Sequence, residues 1–295
     1  EYDEIRHQLG TFAELEKSPQ SIHTYRISAL SLWNAAAAGL EAAEILSFLQ
    51  AYSKFDMPPH VADQIREWIQ RYGVFRLEKV GEAIVLVSRE AGRLDELLQY
   101  ESLKPYFRTR MAADQIEIEP AGRGKLKQEL VRIGFPVEDL AGYAEGAELA
   151  FRWRSETKAG QPFQLRSYQL QAADRFYAGG SVLGGSGVLV LPCGAGKTLI
   201  GIAAAVSLQS EVLVLTSSIT AARQWIGEFL DKTTLTPEDI GEYSGEKKQI
   251  RPVTVTTYQI LSYRPTKEGE FTHLALFDRR NWGLIIYDEV HLLPA

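Results

Sequence analysis

Apolar residues recur every three to four positions through the first 72 residues. The pattern runs over residues 31–40, which are alanine-rich, and over residues 41–52 and 61–72, and it predicts three helices. Pro58 and Pro59 separate the last two, and Gly73 ends the third. The period then shortens. Residues 74–80 and 83–88 flank Gly81 and Glu82 in a hairpin pattern. A helix near residues 94–100, short strands at 107–111 and 115–119, a helix at 124–133 and a strand at 149–153 continue an α+β pattern.

Residues 155–161 are polar, contain a glycine and read as a linker. Beyond them strands and helices alternate: strands at 188–191, 212–215, 253–256 and 284–287, helices at 197–208 and 221–230. This order predicts an α/β fold, with a mainly parallel sheet covered by helices on both faces. The expected domains are residues 1–72 (helical), 73–156 (α+β) and 157–295 (α/β).

Charge changes the picture by half. The formal net charge of −6 over 295 residues excludes a protein that holds nucleic acid by bulk positive charge. Residues 1–150 carry 24 acidic and 17 basic side chains, and residues 151–295 carry 14 and 15, so the second half repels a phosphate backbone less. The acidity of residues 1–72 favours a protein partner there over DNA. Arg108, Arg110, Arg123, Lys125 and Lys127 form either a local DNA-facing patch or a solvated surface. A single cysteine, Cys193, excludes an internal disulfide and suits a reducing cytoplasm. The charged, polar start shows no secretory signal, and its lack of a methionine points to residues removed ahead of it. The uncharged stretch at 178–196 holds seven glycines and Pro192, so it is a poor membrane span. His7, His23, His60 and His273 lack metal-ligand spacing, so no zinc site is expected.

Two short stretches carry chemistry. Residues 191–198 read Leu-Pro-Cys-Gly-Ala-Gly-Lys-Thr between a predicted strand and a predicted helix. Gly194 and Gly196 let backbone N–H groups approach a phosphate, and the helix N-terminus adds partial positive charge. Lys197 would reach the β- and γ-phosphates, and Thr198 would ligate magnesium. The full phosphate-loop pattern has glycine at position 191, where this chain has leucine. Residues 285–291 read Ile-Ile-Tyr-Asp-Glu-Val-His. Asp288 at a strand end would hold magnesium, and Glu289 would orient and polarise a water. Either stretch alone has a bland alternative, a glycine-rich turn or a solvated strand end; together they point to nucleoside triphosphate hydrolysis. In a third element, Arg166 could stack on a base and Gln169 could pair with an adenine edge, or both could simply open a helix.

These stretches resemble the motifs of superfamily 2 helicases. Asp-Glu-Val-His at 288–291 is similar to motif II. Residues 191–198 resemble motif I of the XPB/Ssl2 branch, including Leu191 and Cys193, and residues 166–169 resemble its adenine-recognising segment. Residues 216–225 and 256–261 resemble motif Ia and the following block, and residues 241–248 fit the family's style between them. The likeness extends to residues 23–32, 127–130 and 136–143. The chain is identified as a member of the XPB-like DNA repair helicases, of bacterial type.

The resemblance implies a RecA-like lobe at residues 157–295 and a DNA-dependent ATPase that moves 3′ to 5′ with ATP and Mg²⁺. It implies nucleotide contacts from Arg166, Gln169, Pro192, Cys193, Gly194, Ala195, Gly196, Lys197 and Thr198. His291 would couple the nucleotide and DNA sites, and Ser217, Arg223, Thr256 and Thr257 would touch the DNA backbone. It also implies a second RecA-like lobe that this sequence does not include, with an arginine finger. The isolated chain is therefore expected to bind ATP weakly and turn it over very slowly. Two other readings stay open: a module that docks partners or DNA and binds ATP only structurally, and another superfamily 2 motor such as a restriction-enzyme translocase.

Overall fold

The computed structural model describes residues 2–18, 22–191, 194–266, 269 and 271–292. Pro192 and Cys193, both expected at the phosphate site, lie outside the described residues. The chain divides into two compact units between Gly142 and Tyr143.

The first unit begins with α1 (Tyr2–Leu9) and an antiparallel pair, β1 (Glu14–Lys17) and β2 (Thr24–Arg26). Three helices follow: α2 (Ala29–Ala37), α3 (Ala42–Tyr52) and α4 (Pro59–Arg71). Ser28 starts α2 by accepting the Ser31 N–H at 3.1 Å, while the Ser31 hydroxyl oxygen accepts the Ser28 N–H at 3.0 Å. Pro59 opens α4, earlier than the apolar pattern suggests, because a first-turn proline lacks only an N–H that the helix does not use. Leu32, Ile45 and Ile65 from the three helices close a small core with Phe12.

A mixed five-stranded sheet completes the unit, in the order β5-β6-β4-β3-β7: β3 (Phe75–Val80), β4 (Ala83–Ser88), β5 (Phe107–Ala112), β6 (Gln115–Ile118) and β7 (Val137–Asp139). Between its strands run α5 (Arg93–Leu97) and α6 (Arg123–Arg132). Phe75, Leu77 and Leu86 from the sheet are fully buried with Leu126 and Leu130 of α6. Of the five basic residues read as either a DNA-facing patch or a solvated surface, four are engaged by carboxylates. Arg108 pairs with Glu117 and Glu119, Arg110 with Asp95, and Arg123 and Lys127 with Asp139. Carboxylates from α5, β6, β7 and Glu119 offset the charge of these cations.

In the second unit, α7 (Ser167–Tyr177) and α8 (Lys197–Leu208) precede β8 (Val212–Thr216), α9 (Ile219–Lys232), β9 (Ile240–Tyr243), β10 (Val253–Thr257), α10 (Tyr258–Leu261) and β11 (Leu284–Tyr287). The four strands form a wholly parallel sheet in the order β11-β8-β10-β9. Every residue of β8 and β10 is buried. The reason is that both faces are covered. Val212 and Val214 pack with Trp225 and Phe229 of α9, while Leu213 and Leu215 pack with Tyr258 and Leu261 of α10. The α/β expectation is met.

Two expected strands are absent. Among the described residues, 149–153 form no strand; an isolated bridge at Trp153, and another at Glu148 just before them, stand in its place. Among the described residues, 188–191 find no partner strand, and Val188 and Val190 are 81% and 87% exposed. Five glycines between residues 179 and 187 precede this segment, and ordering so permissive a stretch costs entropy. The open edge of β11 correspondingly shows Ile285 and Tyr287 to solvent. Among the described residues no helix is long and apolar enough to cross a membrane.

Candidate active site

The register of the sheet places the chemistry. Tyr287 of β11 lies opposite Leu215 of β8, and Thr257 of β10 lies opposite Thr216. Asp288 extends the ladder by donating its N–H to the Leu215 carbonyl at 2.9 Å. The carboxylates after β11 therefore stand at the same carboxyl edge as the ends of β8 and β10, where open parallel sheets bind ligands.

The phosphate loop turns into α8 at Lys197. Gly196 precedes it at φ +78°, and a Cβ there would meet Gln169 Nε2 at 2.5 Å, so only glycine fits. A helix N-terminus offers backbone N–H donors and a favourable field for an anion. Lys197, 92 positions before Glu289, reaches it: Nζ lies 2.7 Å from Oε1. The hydrogen bond from Lys197 holds the Glu289 carboxyl below its ordinary pKa, against a smaller opposing effect of burial. Glu289 Oε2 lies 3.5 Å from His291 Nδ1, and His291 is otherwise exposed. Glu289 itself sits at φ +50°, a left-handed conformation that is strained for this residue.

Asp288 is fixed by two residues that sequence reasoning missed. Trp225 donates its indole N–H to Oδ2 at 2.9 Å, and Tyr258 donates its hydroxyl to the Asp288 carbonyl at 2.7 Å. Burial first, and then the negative charge of Asp288, push the Tyr258 phenol up to about 12. Trp225 follows Ala222 and precedes Phe229 on the buried face of α9, so its position in the sequence reads simply as core. The only available signal is general: a buried indole N–H needs an acceptor.

Other expected residues fall in different places. Gln169 is 3% exposed; its Oε1 accepts the Arg166 N–H at 2.9 Å, and its Nε2 donates to the Ala195 carbonyl at 3.4 Å. Tyr168 donates its hydroxyl to the same carbonyl. In this arrangement Gln169 caps α7 and grips the phosphate loop, and Arg166 is exposed at the helix start. Thr256 and Thr257 are 0% and 3% exposed, and the Thr257 hydroxyl caps α10, so direct DNA contact from these two hydroxyls is not what the structure offers. They are β10 residues covered on both sides. Arg223 is half exposed but engaged by Glu242 and Glu246. Ser217 is partly exposed at the end of β8, next to Ser218, which caps α9 by accepting the Ala221 N–H at 3.1 Å.

The donors suit magnesium. Thr198 offers a hydroxyl in the first turn of α8, and Asp288 offers a carboxylate whose orientation is already set. Both are hard oxygen ligands. Magnesium typically takes one or two carboxylates and completes its shell with phosphate and water. No group of three or more His, Cys, Asp or Glu able to hold a metal occurs among the described residues, and magnesium bound with a nucleotide does not require one.

Comparison with known proteins fits this geometry. A family model described as helicase conserved C-terminal domain matches residues 1–112, and one described as type III restriction enzyme, res subunit, matches residues 162–295. The DNA 3'-5' helicase XPB of Mycobacterium tuberculosis is 46% identical over 291 residues, covering 98% of this chain and 51% of the relative. The DNA 3'-5' helicase XPB of Kineococcus radiotolerans is 45% identical, covering 98% and 50%. The general transcription and DNA repair factor IIH helicase/translocase subunit XPB of Enterocytozoon bieneusi is 27% identical, covering 97% and 49%. The chain thus spans about half the length of the curated relatives it matches. Its phosphate loop, its carboxylate strand and its similarity along nearly the whole sequence agree: the chain is homologous, over 98% of its length, to about half the length of these XPB-type DNA helicases.

Proposed function

We propose that the second unit binds ATP with Mg²⁺ and serves as the first, RecA-like lobe of a DNA-stimulated, ATP-dependent 3′-to-5′ helicase or translocase acting in DNA repair or linked to transcription. The observation that carries this reading is the contact between Lys197 and Glu289, which brings two distant motifs to one point. Magnesium, when bound, would neutralise charge developing on the phosphates. Lys197 and the N–H groups at the start of α8 hold the phosphates. Thr198 and Asp288 would hold the cation. Glu289 exchanges Lys197 for a water, which it orients for in-line attack. His291, beside Glu289, relays the state of the site toward DNA. Ser217 and the N–H groups opening α9 position DNA phosphates without reading sequence, and Arg223 joins them once released from its carboxylates. Arg166 stacks on the base.

Within this reading, residues 1–72, 73–156 and 157–295 act as a partner-docking region, a connecting α+β region and the motor lobe. The acidic first half supports a protein partner, and the single cysteine supports a reducing, cytoplasmic setting. A second lobe, outside this sequence, would supply an arginine finger worth about 10³–10⁵ in rate. The test compares ATP turnover, with and without DNA, between this chain and one extended through that lobe. Rescue by roughly that factor is expected. Nucleotide binding without turnover by the extended chain would favour a module that uses ATP structurally. Strong DNA-stimulated turnover by the present chain would contradict the two-lobe account.

A further inference from the structure

Asp288 is held by hydrogen bonds from two different elements. Trp225, in the second turn of α9, donates to its carboxylate, and Tyr258, the first residue of α10, donates to its backbone carbonyl. Both rings are buried, at 3% and 4% exposure. Both polar atoms are directed at Asp288, the carboxylate that joins Thr198 as a metal ligand in the nucleotide-site reading. The indole is also slotted from the side of the phosphate-loop helix. A Cβ on Gly201 of α8 would lie 2.6 Å from Trp225 Cη2, so glycine leaves the room in which the ring lies. The Ile286 side chain also reaches Gly201, with Cδ1 3.3 Å from the same Cβ position.

A carboxylate just past the end of an edge strand has few neighbours to choose its rotamer. Here the indole N–H fixes Oδ2, and the phenol fixes the peptide that carries the side chain. Such partners orient metal-binding side chains and typically change metal affinity by about 10–100-fold when lost. They also come from informative places. α9 and α10 directly follow the ends of β8 and β10, the two segments whose sequence resembles DNA-facing blocks.

We propose that Trp225 and Tyr258 are positioning residues: through the indole N–H and the phenol O–H they hold Asp288 as the divalent-cation ligand and tie its orientation to α9 and α10. This inference rests on the nucleotide-site reading above. A movement of either helix on binding DNA would then alter the grip on the metal without touching the nucleotide.

The test uses Mn²⁺, followed by electron paramagnetic resonance, as the probe in the presence of ADP. Trp225→Phe keeps the ring and removes the donor. It should weaken Mn²⁺ binding by about 10–100-fold while nucleotide affinity measured in EDTA, set by Lys197 and the loop, stays at the wild-type value. Gly201→Ala, by displacing the indole, should reproduce the loss with Trp225 present. Tyr258→Phe should weaken Mn²⁺ in the same direction, and it carries the test if Trp225→Phe does not fold. Wild-type Mn²⁺ affinity in a folded Trp225→Phe or Tyr258→Phe variant that still binds ADP overturns the positioning role alone. A wild-type chain that binds neither ADP nor ADP-dependent Mn²⁺ overturns the nucleotide-site reading, and this inference with it.

Discussion

Lys197 and Glu289 satisfy one another at 2.7 Å, with side chains about a third exposed or less. An incoming triphosphate must take Lys197 away from that carboxylate. A partly exposed pair is worth up to about 1 kcal/mol, or roughly fivefold in a binding constant. Glu289→Gln should therefore bind a fluorescent ATP analogue about fivefold more tightly and hydrolyse ATP more slowly; unchanged or weaker binding would show that the pair does not compete with phosphate. The strained backbone of Glu289 belongs to the same arrangement, since a left-handed residue costs about 1–3 kcal/mol and persists only where its surroundings hold it. Gly196 is constrained from both sides, by its φ and by Gln169. Gly196→Ala should push Gln169 off the loop and abolish nucleotide binding in the same assay, and a variant that binds like wild type would remove Gln169 from the account.

Among the elements, α2, α3 and α4 of the first unit and β8, β10 and β11 of the parallel sheet were legible from their apolar patterns. The short elements α1, β1, β2, β7, β9 and α10 were not, since three to eight residues leave no period to read. The phosphate loop and carboxylates were legible from residue type and order. Trp225 and Tyr258 were not, because a hydrogen bond between an indole and a carboxylate 63 positions away leaves no trace in spacing. Residues 188–191 show the opposite failure: a good strand pattern that stays unpaired. Because Val188 and Val190 are exposed, Val188→Thr and Val190→Thr should each change stability by less than about 0.5 kcal/mol in thermal melts. A larger loss would mean that they pack in solution. In the first unit, burial alone would raise the pKa of Asp139, but the hydrogen bonds from Arg123 and Lys127 outweigh it and lower the value from 3.8. A lowered carboxylate pKa contributes stability above the unfolded value and loses it as pH falls through the folded one. Asp139→Asn should then cost about 3 kcal/mol at neutral pH, with the deficit shrinking below about pH 4. A variant whose acid-melting profile parallels wild type would contradict this.

At the scale of the whole molecule, the chain matches about half of each XPB-type relative and carries one complete set of phosphate-loop and carboxylate residues. The units differ in what holds them. The first uses small cores and ion pairs along a mixed sheet, and the second uses a parallel sheet covered on both faces. The proposed motor, with its DNA contacts and second lobe, depends on the parallel sheet delivering a working nucleotide site. The most direct measurement is calorimetric titration of MgATP into this chain and into Lys197→Ala. The account predicts one site in the wild-type chain and no detectable binding in the variant, with the two melting alike in the absence of nucleotide. Equal binding by both, or none by the wild type, would contradict it.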